Sequence, residues 1–165
     1  MKSPRALGPT VAGLATLLLA VLVTHPASAH APSTTKMVYS GGGLCVINKS
    51  QLIANHATGE LNAFASTNVR VYSGGNCDTI DVFPPGHIAV RYDLQKWNGS
   101  AWDTCRSTGW VLNSGAWNWE VTVSNSHGPS PCGRGYYRTK GTSLVWDGSA
   151  WQGGSAESPY HPPVP

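Results

Sequence analysis

Apolar and polar residues alternate with a period of two along several stretches of the chain. Ile88, Val90, Tyr92 and Leu94 fall on one face, with His87, Arg91, Asp93, Gln95 and Trp97 on the other. Such alternation is the mark of a half-buried antiparallel strand with an apolar inner face. Trp117, Trp119, Val121 and Val123 alternate in the same way against Asn118, Glu120, Thr122 and Ser124. This pattern predicts Trp117 and Trp119 as core residues. A third alternation sets Leu61, Ala63, Ala65, Val69 and Val71 against Phe64, Arg70 and Tyr72.

Shorter stretches complete the picture. Met37 to Tyr39 and Thr79 to Val82 are expected as short strands, and Gly109 to Asn113 as the end of a longer one. Leu44 to Ile47 and Gln51 to Ala54 read as two strands or as one with a break, and their inner face stays open. Tyr136 to Lys140 and Thr142 to Trp146 read as two more. Glycine, proline and asparagine clusters punctuate these runs, among them Gly74-Gly75-Asn76, Pro84-Pro85-Gly86 and Asn113-Ser114-Gly115. Asn125 to Pro131 reads as a loop. No helical period occurs outside the N-terminal apolar run. Short strands with turn signals about every 8–12 residues predict an all-β protein. The expectation is a small antiparallel β-sandwich-like (or partly open barrel) domain over residues 37–154. A flexible leader (30–36) precedes it and a proline-containing tail (155–165) follows.

One hexapeptide occurs twice with a single change. Trp97-Asn98-Gly99-Ser100-Ala101-Trp102 returns as Trp146-Asp147-Gly148-Ser149-Ala150-Trp151. Asn-Gly and Asp-Gly between strands are strong hairpin signals, because these residues tolerate positive φ. A two-residue turn would set Trp97 opposite Ser100, and a four-residue loop would set it opposite Trp102. Both registers put the two tryptophans on one side, the polar side. The four-residue loop is preferred, because it pairs Asp93 with Arg106 rather than Arg91 with Arg106. Cys105 then faces inward, and Trp102, Thr104 and Arg106 face outward. The face of Trp146 and Trp151 stays undetermined.

The N-terminus has the form of a secretory signal. Lys2 and Arg5 precede an apolar run from Val11 to Val23, and Ala27-Ser28-Ala29 is an A-x-A cleavage site. Cleavage after Ala29 would leave 136 of the 165 residues, a suitable length for one domain with its own core. The chain carries 11 basic and 8 acidic residues. Loss of Lys2 and Arg5 leaves the mature chain close to neutral, which argues against nucleic acid as a partner. No second apolar span follows and no cysteine stands at the cleavage point, so no membrane anchor is expected. The Gly-, Ser-, Thr- and Trp-rich body with few lysines has the character of small exported bacterial proteins.

Four cysteines, Cys45, Cys77, Cys105 and Cys132, suggest two disulfides in an exported chain. Three pairings are possible, and pairing of sequence neighbours, Cys45–Cys77 and Cys105–Cys132, is favoured. No C-x-x-C spacing points to a redox dithiol or a zinc knuckle.

Catalytic signals are sparse. There is no G-x-S-x-G and no H-E-x-x-H. If cleavage follows Ala29, His30 becomes the first residue. Its amine and imidazole, with His56, His87 or His127, would form a T-shaped Cu(II) site. That arrangement resembles the N-terminal copper centre of lytic polysaccharide monooxygenases, which would imply oxidative chemistry. The resemblance covers one residue. The reading adopted has no cofactor, no metal and no catalytic residue.

The candidate ligand-binding residues are Trp97 and Trp102 with Asp93, Gln95 and Arg106 beside them, and Trp146 with Trp151 as a second surface. Indole faces stack on the flat C–H faces of sugar rings, while carboxylate, amide and guanidinium groups bind hydroxyls. The expected partner is an extracellular polysaccharide or cell wall. Alternatives are an extracellular protease inhibitor acting on a secreted protein, with Ser126 to Cys132 as an inhibitory loop braced by its disulfide, or a structural or interaction role.

Overall fold

The computed structural model describes residues 33–55, 57–115 and 117–163. The expected signal segment and His30 lie outside the described residues. Ten strands make up the described chain: β1 (Ser33–Gly41), β2 (Leu44–Ala54), β3 (Glu60–Ser73), β4 (Asn76–Ile80) and β5 (Ile88–Trp97), then β6 (Trp102–Ser107), β7 (Val111–Leu112), β8 (Glu120–Pro129), β9 (Tyr137–Trp146) and β10 (Trp151–Glu157). Among the described residues there is no helix.

The strands form two antiparallel sheets of five. One runs β1-β2-β3-β4, with β8 also on β3; the other runs β10-β9-β5-β6, with β7 also on β5. Each sheet has a central strand served on one side by two partners placed end to end. β8 pairs residues 60–68 of β3 and β4 pairs residues 70–73. In the same way β7 takes Ala89 and Val90 of β5, and β6 takes Asp93 to Trp97.

The inner faces follow the alternation in the sequence. Ile88, Val90, Tyr92 and Leu94 are fully buried, as are Leu61, Ala63, Ala65 and Val69 on the facing sheet. A fully buried Val, Leu or Ile contributes roughly 1.5–3 kcal/mol, so these rows hold the sheets together. Cys45–Cys77 and Cys105–Cys132 are bonded, with Cα atoms 6.0 Å apart in both. The sandwich-like all-β fold and both disulfide pairings are thus as expected.

Six local expectations are revised. Residues 33–36, expected as leader, are the first half of β1. Leu44 to Ala54 is one unbroken strand whose inner face carries Asn48 and Ser50, both fully buried. The Ser50 hydroxyl donates to Asn48 Oδ1 (2.6 Å), and Asn48 Nδ2 donates across the sandwich to Ser143 Oγ (2.7 Å). The Gly141 N–H donates to Ser50 Oγ (3.0 Å). This polar stripe hid the inner face from hydropathy. Tyr137 to Trp146 is likewise one strand through Gly141.

Trp117 is 66 % exposed and Trp119 half-buried, because β8 starts only at Glu120. An isolated bridge between Phe83 and Asn118 fixes the approach to that strand instead. Most of the expected loop Asn125 to Pro131 is strand, since β8 pairs with β3 as far as Pro129. Finally, Gly153-Gly154 does not end the domain. β10 continues to Glu157, and a side chain at Gly154 would sit 2.9 Å from the Val38 carbonyl of β1. The glycine lets β1 and β10 close one edge of the sandwich.

Candidate functional site

The first hairpin is held by its loop chemistry. Asn98 Oδ1 accepts from the Ser100 and Ala101 N–H groups (2.8 Å each), and Gly99 takes φ 107°. Trp97 is paired with Trp102, the four-residue register. The pairing of Asp93 with Arg106 does not occur. Cys105 is an extra residue in β6, so Leu94 faces Arg106 and Asp93 faces Ser107. The bulge turns Arg106 away from the tryptophans, and its Nη2 donates to the Pro131 carbonyl (3.3 Å). Asp93 accepts from the Ser107 hydroxyl (2.6 Å), four residues back along β5 from Trp97.

The rings of Trp97 and Trp102 are 5.4 Å apart and tilted by 56°. Tyr160 lies 6.4 Å from Trp102, and Tyr136 meets Tyr160 edge to face at 5.7 Å. These four side chains line an open depression of about 340 Å³. Aromatic walls with a few polar groups at the margin are the usual makeup of a ligand site. The Arg138 guanidinium lies over the Trp102 ring at 4.6 Å, a cation–π contact. Gln95 is 7 % exposed, and its Oε1 accepts from Arg138 Nε (2.8 Å). Gln95 thus sets the arginine against the indole rather than facing solvent. Burial pulls Arg138 below its ordinary range, and the carboxylate of Glu157 acts in the opposite direction.

Tyr136, Arg138 and Tyr160 were not among the sequence candidates. Tyr136 reaches the site through sheet pairing, since its carbonyl accepts from the Trp97 N–H (3.0 Å). Tyr160 arrives from residues expected to be a tail. Ser158 exchanges hydrogen bonds with Thr139, its N–H donating to the carbonyl (2.8 Å) and its hydroxyl accepting from the N–H (3.0 Å). His161 is 1 % exposed and its N–H donates to the Tyr137 carbonyl (2.7 Å). With His161 turned in, Tyr160 stands 62 % exposed beside the tryptophans. Proline-rich composition masked this, although the Tyr-His step is itself an out-and-in alternation.

The second hairpin repeats the first. Trp146 pairs with Trp151 at 5.8 Å, and Asp147 Oδ1 accepts from the Ser149 and Ala150 N–H groups (2.8 Å each). Those bonds hold the Asp147 carboxyl far below the ordinary carboxylate range. Trp151 is 42 % exposed.

A separate polar cluster lies between the sheets at their other edge. Tyr92 Oη and His127 Nε2 share a hydrogen bond of 2.8 Å. Burial, with the Arg106 charge nearby, holds the His127 imidazole below its ordinary range. His56 and His30 lie outside the described residues. Among the described residues no three His, Cys, Asp or Glu side chains come together as a metal site. Comparison with family models, with curated proteins and with solved structures returns no match.

Proposed function

We propose that this is an exported, non-catalytic protein that binds extracellular polysaccharide or cell wall through its tryptophan hairpins. The reading is carried by one observation: Trp97, Trp102, Tyr136 and Tyr160 form a solvent-open aromatic depression. Its walls offer flat apolar faces of the size of a sugar ring. Arg138 at its margin supplies donors for hydroxyls, held in place by Gln95. The two disulfides fit an oxidising compartment outside the cytoplasm. The near-neutral mature chain fits an uncharged ligand better than a polyanion.

The test is retention on insoluble chitin, cellulose and peptidoglycan, for the wild type and two double variants. Trp97→Ala with Trp102→Ala removes the clamp. Tyr136→Ala with Tyr160→Ala removes exposed walls and keeps both tryptophans of the hairpin. Retention on one polymer, lost in both variants, is the expected result. No retention on any polymer, or full retention by the tyrosine variant, overturns the proposal.

A further inference from the structure

β5 and β9 pair without a register break from Ile88↔Val145 to Lys96↔Tyr137. Opposed residues share a face, so Trp97, Gln95, Arg138, Lys140, Thr142 and Trp146 all lie on one side of the sheet. Trp151, opposite Trp146, lies there too. It is the outer side, because Ile88, Val90, Tyr92 and Leu94 occupy the other. The two clamps are therefore at opposite ends of one face. The ten residues of β9 separate them along the strand, about 30 Å at ~3.3 Å per residue. Strand twist turns one clamp relative to the other, so the face is a twisted band.

What lies between the clamps is mainly polar and of mixed charge, with Trp110 laid over Arg91 opposite Thr142. Lys140 faces Asp93 on one side and Glu157 on the other. Thr142 and Ser155 share a hydrogen bond of 2.9 Å. Such a band presents donors and acceptors in alternation without a field of one sign. It suits a chain of hydroxyl-bearing rings and not a polyelectrolyte.

We infer that the two clamps are the ends of a single binding track, and that its ligand is one linear β-1,4-linked polysaccharide chain long enough to touch both. This rests on the polysaccharide reading above. Such a chain is a ribbon with a flat C–H face on every ring, and rotation about its glycosidic bonds lets the ribbon twist. The chain can therefore follow the twist of the sheet and lay flat faces on two aromatic stations that are turned relative to each other. A short oligomer reaches one clamp only. A chain spanning both makes its second contact within the same complex, which raises affinity by about two orders of magnitude without any new kind of contact.

The experiment is calorimetric titration of the protein with β-1,4-linked oligomers of N-acetylglucosamine and of glucose, in length series running from a few rings to well beyond the clamp separation. With one series or the other, affinity is expected to step up by about 100-fold where the oligomer first spans the band, at one oligomer per protein. Ser155→Arg, which obstructs the band and leaves both hairpins intact, should remove the step and leave short-oligomer binding unchanged. Trp151→Ala should also remove the step and confine short-oligomer binding to the first clamp. A smooth length dependence, two spanning-length oligomers per protein, or a step that survives both variants overturns the single track, while short-oligomer binding lost with Tyr136 and Tyr160 would leave the polysaccharide reading standing. Absence of binding by any oligomer overturns the single track, while retention on the insoluble polymers decides the polysaccharide reading separately.

Discussion

Asn98 Nδ2 donates to Asp103 Oδ2 across the first hairpin at 2.8 Å, and in the second hairpin the same two positions keep the bond with the groups exchanged: Gln152 Nε2 donates to Asp147 Oδ2 at 2.8 Å. Each hairpin thus has one amide and one carboxylate five residues apart, one of them also capping the loop. The single difference between the two hexapeptides is compensated one residue beyond them. Asn98→Asp should therefore set two carboxylates against each other, lowering stability by less than about 1 kcal/mol at neutral pH. Adding Asp103→Asn should restore it. Thermal unfolding of the single and double variants decides this, and additive losses would refute the exchange.

Gly141 is the one residue of β9 that could not carry a side chain. A Cβ there would clash with Ser50 Oγ and stand 2.8 Å from Asn48 Nδ2 and 3.0 Å from the Ala65 Cβ. Gly141→Ala should destabilise by about 1–3 kcal/mol through overpacking. It should also break the bond from Asn48 to Ser143. Urea unfolding reads the loss, and an unchanged midpoint would mean that β9 shifts freely.

Gln95 holds Arg138 from below. Gln95→Ala removes the bond to Arg138 Nε and leaves the guanidinium to Trp102 alone. A hydrogen bond to a charged group contributes about 1.5–3 kcal/mol, so a loss at the lower end of that range is expected. Polymer retention should fall with it while strand content by circular dichroism stays constant. Retention at the wild-type level would remove Arg138 from the site.

His127 gives stability a pH dependence of known sign. Its folded pKa lies below the ordinary 6.5, through burial and through Arg106. Below that pH the unfolded chain binds the proton more readily than the folded one, so stability falls as the pH drops through 6.5 towards the folded pKa. Well above 6.5, where both states are neutral, the group contributes no slope. His127→Gln should flatten this part of the urea-midpoint profile between neutral and mildly acidic pH. A profile that keeps its slope would place the titration elsewhere.

Cys105–Cys132 closes a sequence separation of 27 residues and anchors β6 beside the β8–β9 connection. Lys96 Nζ donates to the Cys132 carbonyl at 2.7 Å from the strand that carries Trp97. Cys105→Ser with Cys132→Ser should lower stability by about 2–4 kcal/mol. Tryptophan fluorescence should report loosening of the first clamp before the second.

Local chemistry made much of the architecture legible. Both hairpins and the inner rows of β3 and β5 follow from alternation and loop residues within a few positions. What stayed hidden depended on contacts far along the chain. The inner face of β2 is partly polar because Asn48 is satisfied by Ser143, ninety-five residues away. Trp117 extends the alternation of Val121 and Val123 past the start of their strand, where no neighbouring strand covers it. Within the site, Trp97 and Trp102 were legible as a pair. Tyr160 was not, since its place is set by the bridge between His161 and Tyr137. Arg106 was misplaced by one inserted residue, the bulge at Cys105, which no periodicity announces.

An interface of aliphatic side chains fixes its offset by shape alone, since the contacts themselves carry no direction. Asn48, Ser50 and Ser143 add directional partners to it. If β2 slid against β9 by one pleat, Asn48 Nδ2, the Ser143 hydroxyl and the Gly141 N–H would lose these partners, each at a cost of about 1–3 kcal/mol. The stripe acts as a key in a lock: it gives the two sheets a single permitted offset.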